Sequence, residues 1–144
     1  MAETVSVIEF LRTRRLGAVS AGISMGEVVG LWGQPSESHL SRPPACSYGP
    51  VWLFLRDGKV THAGIYPALS SAPGPPGFQF DVPLDEEAFR RSVVMAGLHC
   101  THAVDLMREG DPEVVLRIDE SGVEVVFDEV GRVSCLAEPI PLTG

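Results

Sequence analysis

The sequence predicts an α+β fold in which each group of antiparallel β-strands follows a short helix. Three observations predict it: a capped helix at "SMGEVVGLWG" (24–33), a β-hairpin at "VWLFLRDGKVTHAGI" (51–65) and a series of alternating segments after residue 100. The 144 residues are 44% apolar and 21% charged. That balance is typical of a folded chain with its own core.

Two helices are predicted before the first strands. The first covers Val5–Leu16, where apolar residues recur near helical spacing and Gly17 supplies a stop. The second starts at Ser24, a favoured N-cap residue, with Glu27 three positions later as in a capping box. Gly33 ends this helix.

A third helix and four more strands are predicted in the second half of the chain. Asp85 caps the helix Glu86–Ala96, which has acids in its first turn and Gly97 at its end. The strands alternate apolar and polar residues between turn signals. They are Thr101–Leu106, Val114–Ile118, Val123–Asp128 and Arg132–Ala137.

The clearest hairpin of the chain turns at Asp57-Gly58, the favoured pair for a two-residue turn. A regular ladder from that turn predicts four pairs: Arg56 with Lys59, Leu55 with Val60, Leu53 with His62 and Val51 with Gly64. In the second hairpin, a regular ladder from a three-residue loop predicts that Asp128 pairs with Arg132, Phe127 with Val133 and Val125 with Cys135.

The two hairpins resemble each other. "VWLFLRDGKVTHA" (51–63) and "VEVVFDEVGRVSCL" (123–136) each contain a strand, an Asp/Gly turn, a basic residue, Val and a hydroxyl residue. We therefore predict two similar helix-then-sheet halves, 1–66 and 84–144, joined by the Pro- and Gly-rich loop 67–83 and packed into one compact domain. The helices are expected on one face of the sheet.

The other face of the sheet is predicted to be apolar in the first half. Its expected residues are Tyr48, Trp52, Phe54, Thr61, Ala63 and Ile65. Three alternatives are open for what covers this apolar face: the 67–83 loop with Phe78 and Phe80, a partner protein, or a second copy in a homodimer. In the second half the same face is expected to be mixed, with Glu124, Val126, Ser134 and Leu136.

The net charge of −8 is concentrated in the second half. Residues 1–72 carry six bases and five acids, whereas residues 73–144 carry five bases and fourteen acids. An acidic surface repels phosphate, so nucleic acid is not expected as a partner, whereas a basic protein surface is compatible. Neither a membrane span nor a secretory signal is recognisable, which leads us to expect a cytoplasmic protein that does not bind membranes.

One cluster could support chemistry, "HCTH" at His99, Cys100 and His102. These residue types ligate metals or pair a thiolate with a base, with His62 or Cys135 as further ligands. On a strand, however, His99 and His102 would point to opposite faces. The three cysteines include no CxxC pair and are expected to be reduced thiols. We therefore predict no catalytic residues, no metal and no cofactor, and keep a small enzyme or metal protein as the alternative.

The stretch "GISMGEVVGLWGQP" followed by "SYGPVWLFLRDGKVTHAGI" resembles a pattern of small α+β proteins. It is similar to outer-membrane assembly lipoproteins of the SmpA/OmlA type and to the tandem-repeat β-lactamase inhibitor proteins, and similar modules occur among bacterial immunity proteins. The chain shows neither the lipid-attachment cysteine of the lipoproteins nor the paired cysteines of the inhibitors. The resemblance implies a helix-plus-antiparallel-sheet unit whose open sheet face binds another protein.

The sequence therefore predicts a non-enzymatic, bacterial protein-binding module of immunity or inhibitor-like type. The expected contact residues are the apolar Tyr48, Trp52 and Phe54. Glu124, Asp128 and Glu129 are expected to supply charge complementarity.

Overall fold

The computed structural model of the chain describes residues 5–39, 44–67, 74–102 and 114–138. It confirms the α+β class, with three helices and a large antiparallel sheet in this part of the chain. In chain order the elements are β1 (Val5–Ser6), α1 (Val7–Thr13), α2 (Met25–Trp32), β2 (Glu37–His39), β3 (Ala45–Tyr48), β4 (Val51–Arg56), β5 (Lys59–Ile65), β6 (Phe78–Gln79), α3 (Glu86–Met95), β7 (Cys100–His102), β8 (Val114–Ile118), β9 (Glu124–Phe127) and β10 (Val133–Ala137).

Local capping chemistry fixes where α2 and α3 begin, as the sequence predicts. The Ser24 hydroxyl accepts a hydrogen bond from the Glu27 N–H at 3.2 Å, which satisfies one free donor of the first turn of α2. The Asp85 carboxylate accepts from the Ala88 N–H at 3.2 Å in the same way. None of the helices in the described ranges is long and apolar enough to cross a membrane.

The first helix is shorter than predicted at both ends. Val5 and Ser6 are extended and pair in parallel with Phe78 and Gln79, so α1 begins at Val7. Arg14 then adopts a left-handed conformation, with φ 65°, and closes the helix through its N–H to the Phe10 carbonyl.

Eight strands form the main sheet in the order β2-β3-β4-β5-β10-β9-β8-β7, and every neighbouring pair is antiparallel. The centre of the sheet is the short ladder between β5 and β10, where Ile65 pairs with Leu136 and Gly64 with Ala137. The predicted strand Thr101–Leu106 is observed as Cys100–His102, and its later residues lie outside the described ranges.

The predicted register of the first hairpin is correct next to the turn and wrong beyond it. Leu55 pairs with Val60 as expected, but a bulge at Thr61 then adds one residue to β5. Leu53 therefore pairs with Ala63 and not with His62, and Val51 pairs with Ile65 and not with Gly64. Beyond the bulge, every side chain of β5 lies on the opposite face from the one predicted.

The second hairpin repeats this error at the corresponding position. Val133 pairs with Phe127 as predicted, but the ladder shifts between Val133 and Cys135. Cys135 consequently pairs with Val126, and Leu136 pairs with Val125. Leu136 is fully buried in the core, whereas the prediction placed it on the other face.

One hydrophobic cluster forms the core. It joins buried side chains of the helices, such as Phe10, Val28 and Phe89, to buried side chains of the strands, such as Leu53 and Phe127. The Phe89 and Phe127 rings meet edge to face with centroids 5.4 Å apart, a favoured aromatic geometry. A single cluster of this kind holds the helices and the sheet together.

Candidate functional site: the aromatic face of the sheet

A continuous row of paired residues crosses all eight strands on the side turned away from the core cluster. Residues that pair directly across antiparallel strands share a face of the sheet. The row consists of Glu37, Ser47, Trp52, Gly64, Ala137, Glu124, Arg117 and Thr101. We call this side of the sheet the aromatic face, because it also carries a cluster of aromatic rings that includes Trp52.

Four rings stand next to one another on the aromatic face. The Trp52 ring lies 6.4 Å from that of Phe54 and meets the Tyr66 ring edge to face at 5.9 Å. Phe54 stacks on the imidazole of His62, with centroids 4.5 Å apart and planes within 6°. Trp52, Phe54 and Tyr66 are half-buried, so each keeps part of its surface exposed to solvent. None of the four rings belongs to the core cluster.

Gly64 makes room for this ring cluster. A β-carbon at Gly64 would lie 2.8 Å from the Tyr66 ring, closer than real side chains approach. Tyr66 therefore covers the backbone of β5 at this point and reaches the edge of Trp52. The absence of a side chain at residue 64 is thus part of the site's geometry.

His62 is held in one orientation within the cluster by a hydrogen bond. The Thr61 hydroxyl donates to the Phe54 carbonyl at 3.1 Å, and so it accepts from Nδ1 of His62 at 2.9 Å. Burial lowers the pKa of His62 from its ordinary value. The Thr61 hydrogen bonds thus place a proton on Nδ1 of His62.

Tyr48 lies on the core side of the sheet, which corrects its predicted place beside Trp52. Tyr48 pairs with Val51, a core residue, and it is only 3% exposed. Its hydroxyl donates to the Gly33 carbonyl at 2.8 Å, and its ring meets Trp32 edge to face. Burial raises the pKa of Tyr48 to about 12. The side chain thus holds the end of α2 and offers no contact area on the aromatic face.

The bulge also changes which residues of β5 lie on the aromatic face. Ala63 and Ile65, which the regular ladder assigns to this face, belong to the core cluster. His62 and Tyr66 occupy the face in their place, and the sequence prediction missed both. The sequence feature that accompanies this change of face is Thr61, directly after Val60. Its hydroxyl donates to the Phe54 carbonyl across the hairpin at the bulge.

Phe78 and Phe80, the residues proposed to cover the aromatic face, pack against the core cluster. Phe78 belongs to β6 and pairs with Val5, and its ring meets that of Phe80 with centroids 6.5 Å apart. Residues 68–73 of the same loop lie outside the described ranges.

The three predicted acidic contact residues have different surroundings. Glu124 lies in the row across the sheet, directly opposite both Arg117 and Ala137. The Asp128 carboxylate accepts from the N–H groups of Val130 and Arg132, each at 3.0 Å, and so it stabilises its own turn. Glu129 is exposed in that turn.

Both signs of charge lie on the aromatic face within the described residues. Glu37, Asp119 and Glu124 share it with Arg56, Lys59 and Arg117. At the turn of the second hairpin the Asp128 N–H donates to the Arg132 carbonyl, and Arg132 also pairs with Asp85.

The alternative cluster at His99, Cys100 and His102 does not converge. His99 is exposed, and its Nδ1 lies 2.7 Å from the Glu120 carboxylate, a hydrogen bond that raises the pKa of His99. Nε2 of His102 instead accepts from the Arg90 guanidinium at 3.2 Å. Cys100 packs against the core. Over the described ranges, no three His, Cys, Asp or Glu residues are placed to hold a metal ion.

The remaining thiols are apart from this cluster as well. Cys46 is buried, and burial raises its pKa to about 11, so the thiol stays protonated at neutral pH. Cys135 lies on β10, separated from β7 by two strands. The strongest candidate for function is therefore a contact surface on a β-sheet. In comparisons with known proteins, no family model, curated protein or solved structure matches the chain.

Proposed function

We propose that this chain is a non-enzymatic protein-binding module that contacts its partner through the aromatic face. The observation that carries the proposal is the row of four rings, Trp52, Phe54, His62 and Tyr66, standing together outside the core cluster. Aromatic residues are enriched in the buried centre of protein interfaces, where Trp and Tyr contribute much of the binding energy. The rings already pack against one another, so few side chains need ordering when they bind.

Matching contacts in the two halves support the assignment of this face. In both halves the hairpin turn bonds to the start of the preceding helix. The Met25 N–H donates to the Gly58 carbonyl at 2.8 Å, and the Glu86 N–H donates to the Gly131 carbonyl at 2.8 Å. We propose that residues 1–66 and 84–144 are copies of one helix-then-four-strand unit with all three helices on one side of the sheet. That arrangement leaves the aromatic face to the partner.

Comparison of the two halves indicates where the binding energy lies. The hairpin alignment places Trp52 with Glu124 and Phe54 with Val126, so only the first half is aromatic at these positions. A role in packing alone would be served by similar residues in both halves. We assign the central contacts to Trp52 and Phe54 and a peripheral, orienting role to Glu124, Asp128 and Glu129.

The resemblance to inhibitor and immunity proteins narrows the proposal to a bacterial protein that holds a partner protein inactive in the cytoplasm. Binding by such a module requires shape and apolar complementarity but no reactive group. The ring cluster on a rigid sheet meets this requirement.

Capture of partners by immobilised protein tests the proposal. Wild type, Trp52→Ala and Phe54→Ala are compared with Met95→Ala, which truncates a side chain that is 87% exposed on α3. We expect the Trp52 and Phe54 variants to lose a protein that wild type and the Met95 variant retain. Equal recovery by all four proteins, with folding verified by circular dichroism, refutes the proposal.

A further inference from the structure

Acidic side chains outnumber basic ones on the aromatic face and in the turns that border it. Within the described residues, eight Asp and Glu side chains lie there against four Arg and Lys side chains. A surface with this excess attracts a partner of positive charge. The acids are Glu37, Asp57, Asp85, Asp119, Glu120, Glu124, Asp128 and Glu129, and the bases are Arg56, Lys59, Arg117 and Arg132.

The turns of the two hairpins differ in charge. They lie at opposite ends of the sheet, because each turn precedes its strand, β5 or β10, and these two strands are antiparallel. Ser24, before α2, pairs with Lys59 beside the first turn, and Asp85, before α3, pairs with Arg132 beside the second. The first turn with its bridge therefore holds two bases and one acid. The second holds one base and three acids, namely Asp85, Asp128 and Glu129.

The Trp52 and Tyr66 rings lie at the end of the cluster that is nearer the acidic second turn. Tyr66 follows directly after β5, and β10 starts at the second turn and runs past this end of β5. Burial and the neighbouring Cys135 thiol of β10 both raise the pKa of Tyr66, which places its ring beside that strand. Asp85 pairs with Arg132 along the edge of β10 that faces β5, since β9 occupies the other edge. Rings and carboxylates therefore adjoin the same strand.

We infer that the partner presents a basic surface to the aromatic face and places an arginine side chain against Trp52 and Tyr66. This inference rests on the proposed function and names the chemistry of the partner. A guanidinium group stacks on aromatic rings through its planar face and donates hydrogen bonds to carboxylates from its edge. The rings and the acids of the second turn offer both kinds of contact. The net charge of −8 also steers a basic protein toward this chain over longer distances.

Binding of labelled peptides to the full chain tests the inference. The probes are decapeptides that alternate Gly with Arg, Lys or Glu, and binding is followed by fluorescence anisotropy. We expect the arginine peptide to bind saturably and more tightly than the lysine peptide, and the glutamate peptide not to bind. The affinity should fall between about 50 and about 300 mM salt, because salt screens opposite charges. No binding of the arginine peptide, equal affinity for the lysine peptide, or an affinity that salt leaves unchanged overturns the inference.

Substitutions locate the peptide on the chain. Trp52→Ala should weaken binding of the arginine peptide at least about fivefold, because the stacking contact is lost. Glu129→Lys and Glu9→Lys each raise the net charge by two, but Glu129 is exposed in the second turn, whereas Glu9 lies on α1, which packs into the core cluster. We expect a loss of about threefold or more from the Glu129 variant and of less than about twofold from the Glu9 variant.

The exposed Glu129 position keeps the test decisive if Trp52→Ala fails to fold. Equal effects of the two charge reversals, or a folded Trp52 variant with wild-type affinity, overturn the inference. A chain that captures a protein through Trp52 but does not bind the arginine peptide retains the proposed function and loses this inference. A chain that does neither loses both.

Discussion

Glu138 should make the stability of this protein depend on pH. The residue follows β10, its N–H donates to the Ala63 carbonyl at 2.9 Å, and it is only 6% exposed. Burial raises the pKa of its carboxyl to about 7, although the nearby Arg14 guanidinium acts in the opposite direction. Arg14 also bonds to the Ser121 carbonyl, so the end of α1, the β8–β9 turn and the end of β10 meet here.

The sign and size of the effect follow from the two pKa values. The ordinary carboxyl pKa is 4.5, whereas the folded value is about 7. Between these values the folded chain binds a proton that the unfolded chain has lost, so the free energy of unfolding falls as pH rises from 4.5 to about 7. The full effect of this one group is about 3 kcal/mol. Below pH 4.5 the Glu138 carboxyl is protonated in both the folded and the unfolded chain, so the free energy of unfolding there is not reduced by this group.

Glu138→Gln provides the assay, because the amide resembles the protonated carboxyl at every pH. Urea unfolding at pH 5 and pH 8 should show the variant close to wild type at the lower pH and up to about 3 kcal/mol more stable at the higher. Glu129→Gln, in an exposed turn, is the control and should change neither value. An equal difference between Glu138→Gln and wild type at both pH values would refute the reasoning.

Four further substitutions test the packing and the helix α2. Gly64→Ala should displace the Tyr66 ring and cost about 1–3 kcal/mol in urea unfolding, with a change in tryptophan fluorescence, because the new β-carbon would lie 2.8 Å from that ring. Gly30→Ala, inside α2 with nothing within 4 Å, should instead stabilise by up to about 1 kcal/mol in the same assay. Ser24→Ala removes the cap of α2 and should lower the thermal midpoint by an amount equivalent to about 1 kcal/mol. Phe89→Ala empties a fully buried site against Phe127 and should cost about 3–5 kcal/mol in chemical denaturation, and a loss under about 1 kcal/mol would contradict the described core.

The features that the sequence predicts correctly depend on neighbours a few residues apart. Ser24 and Asp85 cap their helices as expected, because the groups they bond lie three residues along the chain. Asp57-Gly58 forms the expected turn, with positive φ at both residues, for the same reason. The α+β class follows from these local signals and the alternation of the strands.

The register beyond Thr61 depends on contacts across the sheet, and therefore the regular ladder predicts it incorrectly. A bulge adds one residue without an obligatory sequence signal, and it reverses the face of every later side chain in β5. Trp52 and Phe54 were found because β4 alternates without interruption. His62 and Tyr66 were missed because they follow the bulge.

Tyr48 was misplaced for a different reason. The prediction assigned it to the face of Trp52, but Pro50 and Gly49 turn the chain so that Tyr48 pairs with Val51 on the core side. The geometry of a short connection between two strands decides which side chains of each strand lie on which face of the sheet. That geometry is not evident from composition. The loop residues Phe78 and Phe80 likewise pack where tertiary contacts place them.

Site-specific photo-crosslinking from position 52 in living cells tests the central claim most directly, which is that the aromatic face contacts a protein. A photoreactive derivative of phenylalanine, which keeps an aromatic ring at the position, replaces Trp52 in one variant and Met95, which is 87% exposed, in a control. We predict a discrete covalent adduct with one other protein from position 52 and none from position 95. No adduct from position 52, or the same adducts from both positions, would contradict the claim.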